Sequence, residues 1–177
     1  MQTQKSSWIF GYGSLIWRPD FLYREARLAR LPGWHRAMCI QSLHYRGCPD
    51  RPGLVLGLDR GGSCLGLAFR IAAEEEGAIR AALDARELIT GVYLPRMLKV
   101  ILDDGHRVEA YGYVADRGHV QYRRTDGSEA AGMIRQGQGS AGSARDYLAS
   151  TVTHLRALGI RDRRLETLLR AVEDGTA

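Results

Sequence analysis

Ser7-Trp8-Ile9-Phe10-Gly11 is an apolar run without polar alternation, and glycines on either side of Tyr12 close it. A run this short, ended by turn residues, predicts a strand leading into a tight loop. Apolar stretches at Arg27–Leu31 and Ala37–Leu43 predict two more strands, parted by the turn signal Pro32-Gly33. His44–Gly53 carries two prolines and two glycines and is read as loop. Leu54–Leu58 and Cys64–Ile71 flank Arg60-Gly61-Gly62-Ser63, which predicts a β-hairpin. Leu98–Leu102 and Arg107–Val114, around Asp103-Asp104-Gly105-His106, predict a second.

Between the hairpins the period changes to that of a helix. It begins near Ala73, has Glu74, Glu75 and Glu76 in its first turn, and sets Ile79, Leu83 and Arg86 on one face. The acidic start suits the positive end of the helix dipole. Beyond Ala115 three more helices are predicted, at Glu129–Arg135, Ser143–Leu158 and Asp162–Val172. Leu148, Val152 and Leu155 form the apolar stripe of the second, closed by Leu158. Leu165, Leu168, Leu169 and Val172 form that of the third. Gly137–Gly142, with three glycines and two small residues, is read as a flexible connection. The whole predicts an α+β fold in one domain, residues 1–177, with a mixed sheet or small barrel carrying helices.

Composition narrows the class. The 177 residues are 45% apolar and 25% charged, with 21 glycines, which suits one ordinary domain and excludes disorder and collagen-like repeats. No apolar run approaches the roughly 20 residues of a membrane span. The polar start from Met1 to Trp8 and the glycines after it give no signal-peptide core, so the expectation is a cytoplasmic protein. Cys39, Cys48 and Cys64 are odd in number, and neither they nor the five histidines cluster at metal-ligand spacing. No metal is expected, and the thiols are read as buried or idle. The net charge of +5 is carried by arginine, since Lys5 and Lys99 are the only lysines among 25 basic residues. A basic surface suits nucleic acid and a small anionic metabolite alike, and charge alone does not choose between them, though the dispersal of these arginines disfavours nucleic acid.

Three places bear candidate chemistry. In Phe10-Gly11-Tyr12-Gly13-Ser14-Leu15 the glycines permit a sharp turn with uncovered N–H groups, which suits a carboxylate or phosphate. It is equally a strand end with a glycine-permitted turn. Glu87, at the C-terminal end of the first helix, breaks the charge rule that Glu74–Glu76 obey. The dipole there and the neighbouring Leu88 and Ile89 would raise its pKa. A surface pair with Arg86 is the simpler reading of the same residue. In the loop around His44, Arg46 and Cys48, an anion contact by Arg46 is open, whereas a Cys/His nucleophilic pair is disfavoured against plain loop packing. Tyr93, Tyr111, Tyr113 and Tyr147 are candidates to close a polar pocket. Ser14 lacks the elbow motif of a serine nucleophile.

Taken together, these residues resemble the ChaC family of γ-glutamylcyclotransferases, in the branch acting on glutathione. The resemblance runs from Trp8 to Val172. It is carried by Trp8-Ile9-Phe10-Gly11-Tyr12-Gly13-Ser14-Leu15-Ile16-Trp17 and by Arg86-Glu87-Leu88-Ile89-Thr90-Gly91-Val92-Tyr93-Leu94-Pro95. Arg46-Gly47 with Pro52-Gly53 resembles the family's R-G-T-x-x-x-P-G loop, and Gly139–Leu148 its G-P-x-G-x-N-x-x-Y-L segment. The resemblance implies a γ-glutamylcyclotransferase-like mixed barrel with flanking helices, and no metal or organic cofactor. It implies Glu87 as the catalytic acid/base. The substrate would be held by Ile9, Phe10, Gly11, Tyr12, Gly13, Ser14 and Leu15, with Arg46 and Tyr147 as further contacts. The implied reaction converts glutathione to 5-oxoproline and Cys-Gly. Cys48, Leu54, Ser140 and Ala144 depart from the family's Thr, Arg, Pro and Asn; they bear on the leaving group rather than on the reaction type. The alternatives are a non-catalytic γ-glutamyl or amino-acid-binding regulator and a cyclotransferase for other γ-glutamyl amines or peptides.

Overall fold

A computed structural model describes residues 7–175, so the stretch before Ser7 that was read for a leader lies outside it. Two compact units are present. One comprises the chain up to Arg36 with Leu58–Val114, the other Ala37–Gly57 with the chain from Ala115 onward.

The strands are β1 (Ser7–Gly11), β2 (Glu25–Ser42), β3 (Gly53–Ile71), β4 (Tyr93–Leu102) and β5 (Arg107–Ala115), closing a barrel in the order β1-β3-β2-β4-β5. β1 lies between β3, to which it is antiparallel with Phe10 opposite Ala68, and β5, to which it is parallel with Trp8 opposite Ala110. From Trp8 to Gly11 every residue of β1 is buried. Both its faces are covered, which is why Trp8-Ile9-Phe10 shows no alternation. The first unit also holds α1 (Glu76–Glu87), entered through a 3-10 turn at Ala73–Glu75, with Ile79 and Leu83 buried.

Two expected reversals are absent. Arg27–Leu31 and Ala37–Leu43 belong to one strand, β2, and Leu54–Leu58 and Cys64–Ile71 to another, β3. Gly33, Gly61 and Gly62 do have positive φ (82°, 100° and 67°), as turn glycines would. Here they kink continuous strands, with His35 Nδ1 lying 3.0 Å from the Gly61 carbonyl. The second predicted hairpin, β4–β5, is present, with Gly105 (φ 87°) in its turn.

The second unit is built on α2 (Gly127–Gln136), α3 (Ala144–Ala157) and α4 (Arg163–Glu173), which pack on one another. Asp126, Ser143 and Asp162 cap them, each side chain accepting from the N–H three residues on. Leu148, Val152, Leu155 and Leu165 are buried as their spacing predicts. The α3 stripe is closed by Ile160 rather than Leu158. Past Gly159 (φ 74°) the Ile160 N–H returns to the Leu155 carbonyl at 2.9 Å, leaving Leu158 half-buried at the cap.

Gly137–Gly142 is not a flexible connection. It contains the short strands β6 (Gln138–Gly139) and β7 (Gly142–Ser143), and the Ser140 and Ala141 N–H groups donate to the carbonyls of His44 and Tyr45 at 2.9 Å. Small residues are there because backbone meets backbone. A Cβ on Gly139 would sit 2.3 Å from the His44 oxygen and 2.5 Å from the Tyr45 carbonyl carbon. Gly139→Ala is expected to destabilise the protein by about 1–3 kcal/mol, read as a lower urea midpoint with unchanged slope. An unmoved midpoint would mean that this hairpin does not seat on residues 44–45.

Candidate active site

β1 delivers the chain to the glycine segment. Beyond Gly11 it turns through Tyr12-Gly13 into a 3-10 turn, Ser14–Ile16, whose bonds begin at Ile16 N–H to Gly13 O (2.9 Å). The amides of Ser14 and Leu15 therefore have no acceptor within the turn. Ile9, Phe10 and Leu15 are core side chains, so a ligand at this segment would meet its backbone and the half-buried Ser14, not those three side chains.

Sequence reading missed the residue that fixes this turn. Arg36 on β2 is buried; its Nε donates to the Tyr12 carbonyl at 2.6 Å and its Nη2 to the Leu65 carbonyl. Only its place among apolar neighbours in a strand, Ala37-Met38-Cys39-Ile40 following, hinted that this arginine faces inward.

Glu87 is the last residue of α1. The capping bond that follows, Leu88 N–H to Asp84 O at 2.9 Å, holds the helix end. Its side chain is mostly buried, with 21% exposure. Burial drives the carboxyl above the ordinary glutamate range, and the adjacent Arg86 offsets part of the rise. The expected apolar setting is only partly there, because Ile89 is 65% exposed past the helix end while Leu88 is half-buried. The pair with Arg86 is present, Nε to Oε1 3.1 Å, and the carboxyl it meets is the one that burial raises.

One turn back on α1, the hydroxyls of Tyr111 and Tyr113 on β5 both donate to Asp84 Oδ1 at 2.7 Å. Burial, then the Asp84 charge, pushes the Tyr111 phenol up to about 12 and raises Tyr113 as well, with the Glu87 charge contributing to the latter. Both phenols remain protonated donors at neutral pH and tie the C-terminal turn of α1 to the barrel.

Arg46 and Tyr147 lie together in the second unit. The Arg46 guanidinium stands 5.4 Å from the centroid of the Tyr147 ring, and its Nη1 donates to the Ser143 carbonyl at 3.4 Å. The Leu56 N–H reaches the Tyr147 hydroxyl at 3.4 Å. Cys39 and Cys64 are buried, Cys48 is half-buried, and none of the three is in a disulfide. No three His, Cys, Asp or Glu among the described residues are grouped to hold a metal ion. Nor is any helix among them long and apolar enough to cross a membrane.

The family described as ChaC-like protein matches residues 7–175. A protein of Escherichia coli (strain K12) named glutathione-specific gamma-glutamylcyclotransferase is 38% identical over 167 residues, covering 94% of this chain and 72% of its own. The Homo sapiens protein named glutathione-specific gamma-glutamylcyclotransferase 1 is 30% identical over 172 residues, covering 93% and 78%. The crystal structure of a yeast γ-glutamyl cyclotransferase specific to glutathione superposes with a TM-score of 0.86 over 96% of each chain. Its sequence identity is 22%, so that likeness is one of fold. With the family match running through nearly all of its length, the chain belongs to the ChaC-like protein family.

Proposed function

We propose that this protein is a glutathione-specific γ-glutamylcyclotransferase, acting in the cytoplasm, with Glu87 as its proton-transfer group. The observation that carries the reading is the Glu87 carboxyl, raised by burial and joined through Arg86 to the turn at Ser14. The family match and the names of the two relatives support the substrate class.

The chemistry asks little of the protein. The α-amine of the γ-glutamyl group attacks its own γ-carbonyl; the new C–N bond closes the five-membered ring, and the amide bond to cysteine breaks. The products are 5-oxoproline and Cys-Gly. No protein nucleophile is needed, because the reaction is intramolecular and orientation supplies much of the rate. The α-ammonium, with a pKa of about 8, must first give up a proton, and the departing cysteinyl amine must then gain one. A single carboxylate with a raised pKa performs both transfers in turn. The Ser14 and Leu15 amides are proposed to hold substrate oxygen, either the α-carboxylate or the developing oxyanion. Arg46 and Tyr147 enter as proposed contacts through the two separate family segments that they resemble.

The test incubates purified protein with glutathione and, separately, with γ-Glu-Ala, and follows 5-oxoproline and the released amine by mass spectrometry. Glutathione is expected to give 5-oxoproline and Cys-Gly. Product from γ-Glu-Ala alone would move the substrate class, and no product from either by folded protein would overturn the enzyme reading.

A further inference from the structure

Arg86 makes more contacts than a surface partner of Glu87 needs. Its Nε stands 3.1 Å from Glu87 Oε1, and its Nη2 donates to Ser14 Oγ at 2.9 Å. Its Nη1 donates at 3.0 Å to both the Arg18 carbonyl and Asp20 Oδ2. Every nitrogen of one planar group is engaged, and the acceptors lie on two elements: the end of α1, and the segment from Ser14 to Asp20, whose first amides have no acceptor within its 3-10 turn. That segment has no strand ladder of its own. It leaves its 3-10 turn through Trp17 and reaches Asp20 in the left-handed region (φ 57°), the one non-glycine residue with positive φ among those described. Asp20 adopts that conformation while presenting its carboxylate to Arg86.

We propose that Arg86 is a positioning residue for this reaction: its guanidinium sets the Glu87 carboxylate and the Ser14 turn in one fixed geometry. The inference deepens the reading of Glu87 as the proton-transfer group and rests on it. The fork matters because a guanidinium presents donors in several directions from one plane, whereas an ammonium on a flexible stem is a point charge. The charge matters because burial raises the carboxyl and Arg86 offsets part of that rise, favouring the anionic form that accepts the ammonium proton. The other ionisable groups around Glu87 are Asp84 on the same helix, occupied by two phenol hydroxyls, and Tyr113 from β5. Asp20 from the loop is turned to Arg86. None of them is a cation, so Arg86 supplies the downward pull on Glu87.

The experiment measures 5-oxoproline formation from glutathione against pH for wild type, Arg86→Ala, Arg86→Lys and Glu87→Gln, with Arg86→Ala also assayed in millimolar guanidinium chloride. Arg86→Ala is expected to lose about 10–100-fold in kcat and to move the acid limb of the profile up by roughly one pH unit. Arg86→Lys keeps the limb near its wild-type place and recovers only part of the rate. Guanidinium ion restores turnover saturably in Arg86→Ala and not in wild type. A loss equal at every pH, untouched by guanidinium and by lysine, would make the role merely structural and overturn the proposal. So would an Arg86→Ala enzyme within threefold of wild type with its limb in place. If Arg86→Ala does not fold, Arg86→Lys decides alone, because a full wild-type rate would show that the fork is not needed. Glu87→Gln separates the two claims. Full turnover there removes the reading on which this rests, whereas an inactive Glu87→Gln beside a normal Arg86→Ala removes only the role of Arg86.

Discussion

Glu87→Gln is expected to lower 5-oxoproline formation about 10²–10⁴-fold, the usual worth of a positioned acid/base, while leaving the fold intact. Glutamine keeps the shape of the side chain and can still accept from Arg86, so the loss belongs to proton transfer. The same substitution carries a second, independent signature in stability. The folded-state pKa of Glu87 lies above that of the unfolded chain, about 4.3, because burial penalises the charged form. Between the two values the folded protein binds more protons than the unfolded one, so stability falls as pH rises. The contribution of the carboxyl is therefore fully present below the unfolded pKa and lost as pH climbs through the folded one. Glutamine does not titrate. The melting temperature of Glu87→Gln relative to wild type should thus rise from mildly acid to neutral pH, followed by scanning fluorimetry at several pH values. An inactive variant that is more stable at neutral pH fits a residue kept for chemistry at a cost to folding. A variant that still turns glutathione over would remove Glu87 from the mechanism, and a melting difference flat in pH would show that its carboxyl is not raised.

How much of this was legible in the sequence differs residue by residue. Glu87 was visible because a carboxylate at a helix C-terminus violates a local electrostatic rule that the same helix respects at its start. The helices α3 and α4 were visible because their apolar stripes are short-range signals. Gly33 and Gly61 were misread because positive φ is the common property of a hairpin turn and a kinked strand, and only long-range pairing tells them apart. Gly137–Gly142 was misread for a related reason. Glycine and alanine signal flexibility by composition, yet here they are small so that residues 44–46 can come close. The bonds that pin Ser140 and Ala141 come from partners 96 residues away, beyond any local window. Arg86 was named as a neighbour of Glu87, but its bonds to Ser14 and Asp20 exist only once α1 is folded back on the first strand's loop.

Arg36→Met is expected to damage both stability and turnover, because the buried guanidinium holds the peptide group on which the glycine segment pivots. Arg36 Nε bonds the Tyr12 carbonyl at 2.6 Å. That oxygen and the Gly13 N–H share one rigid plane and point in opposite directions, so fixing the carbonyl fixes the direction of the amide. Glycine on both sides of Tyr12 would otherwise let this peptide rotate at little steric cost. Methionine matches only the stem of the side chain, ending where the arginine Nε stands, and donates nothing, so the carbonyls of Tyr12 and Leu65 both lose a charge-assisted donor. Loss of these bonds outweighs relief from burying a charge, since carbonyls left in the interior keep their full desolvation penalty. The net destabilisation is expected at about 2–4 kcal/mol, measured by urea unfolding. At a temperature well below the melting point of the variant, kcat/KM for glutathione should fall about 10²-fold, the scale of a small misplacement at a reacting centre. Arg36→Lys, which keeps one charged donor but not the fork, should lie between the two. If Arg36→Met were destabilised yet retained wild-type kcat/KM, the Tyr12–Gly13 peptide would hold its orientation without the guanidinium. The amides at Ser14 and Leu15 would then owe their placement to the 3-10 turn itself.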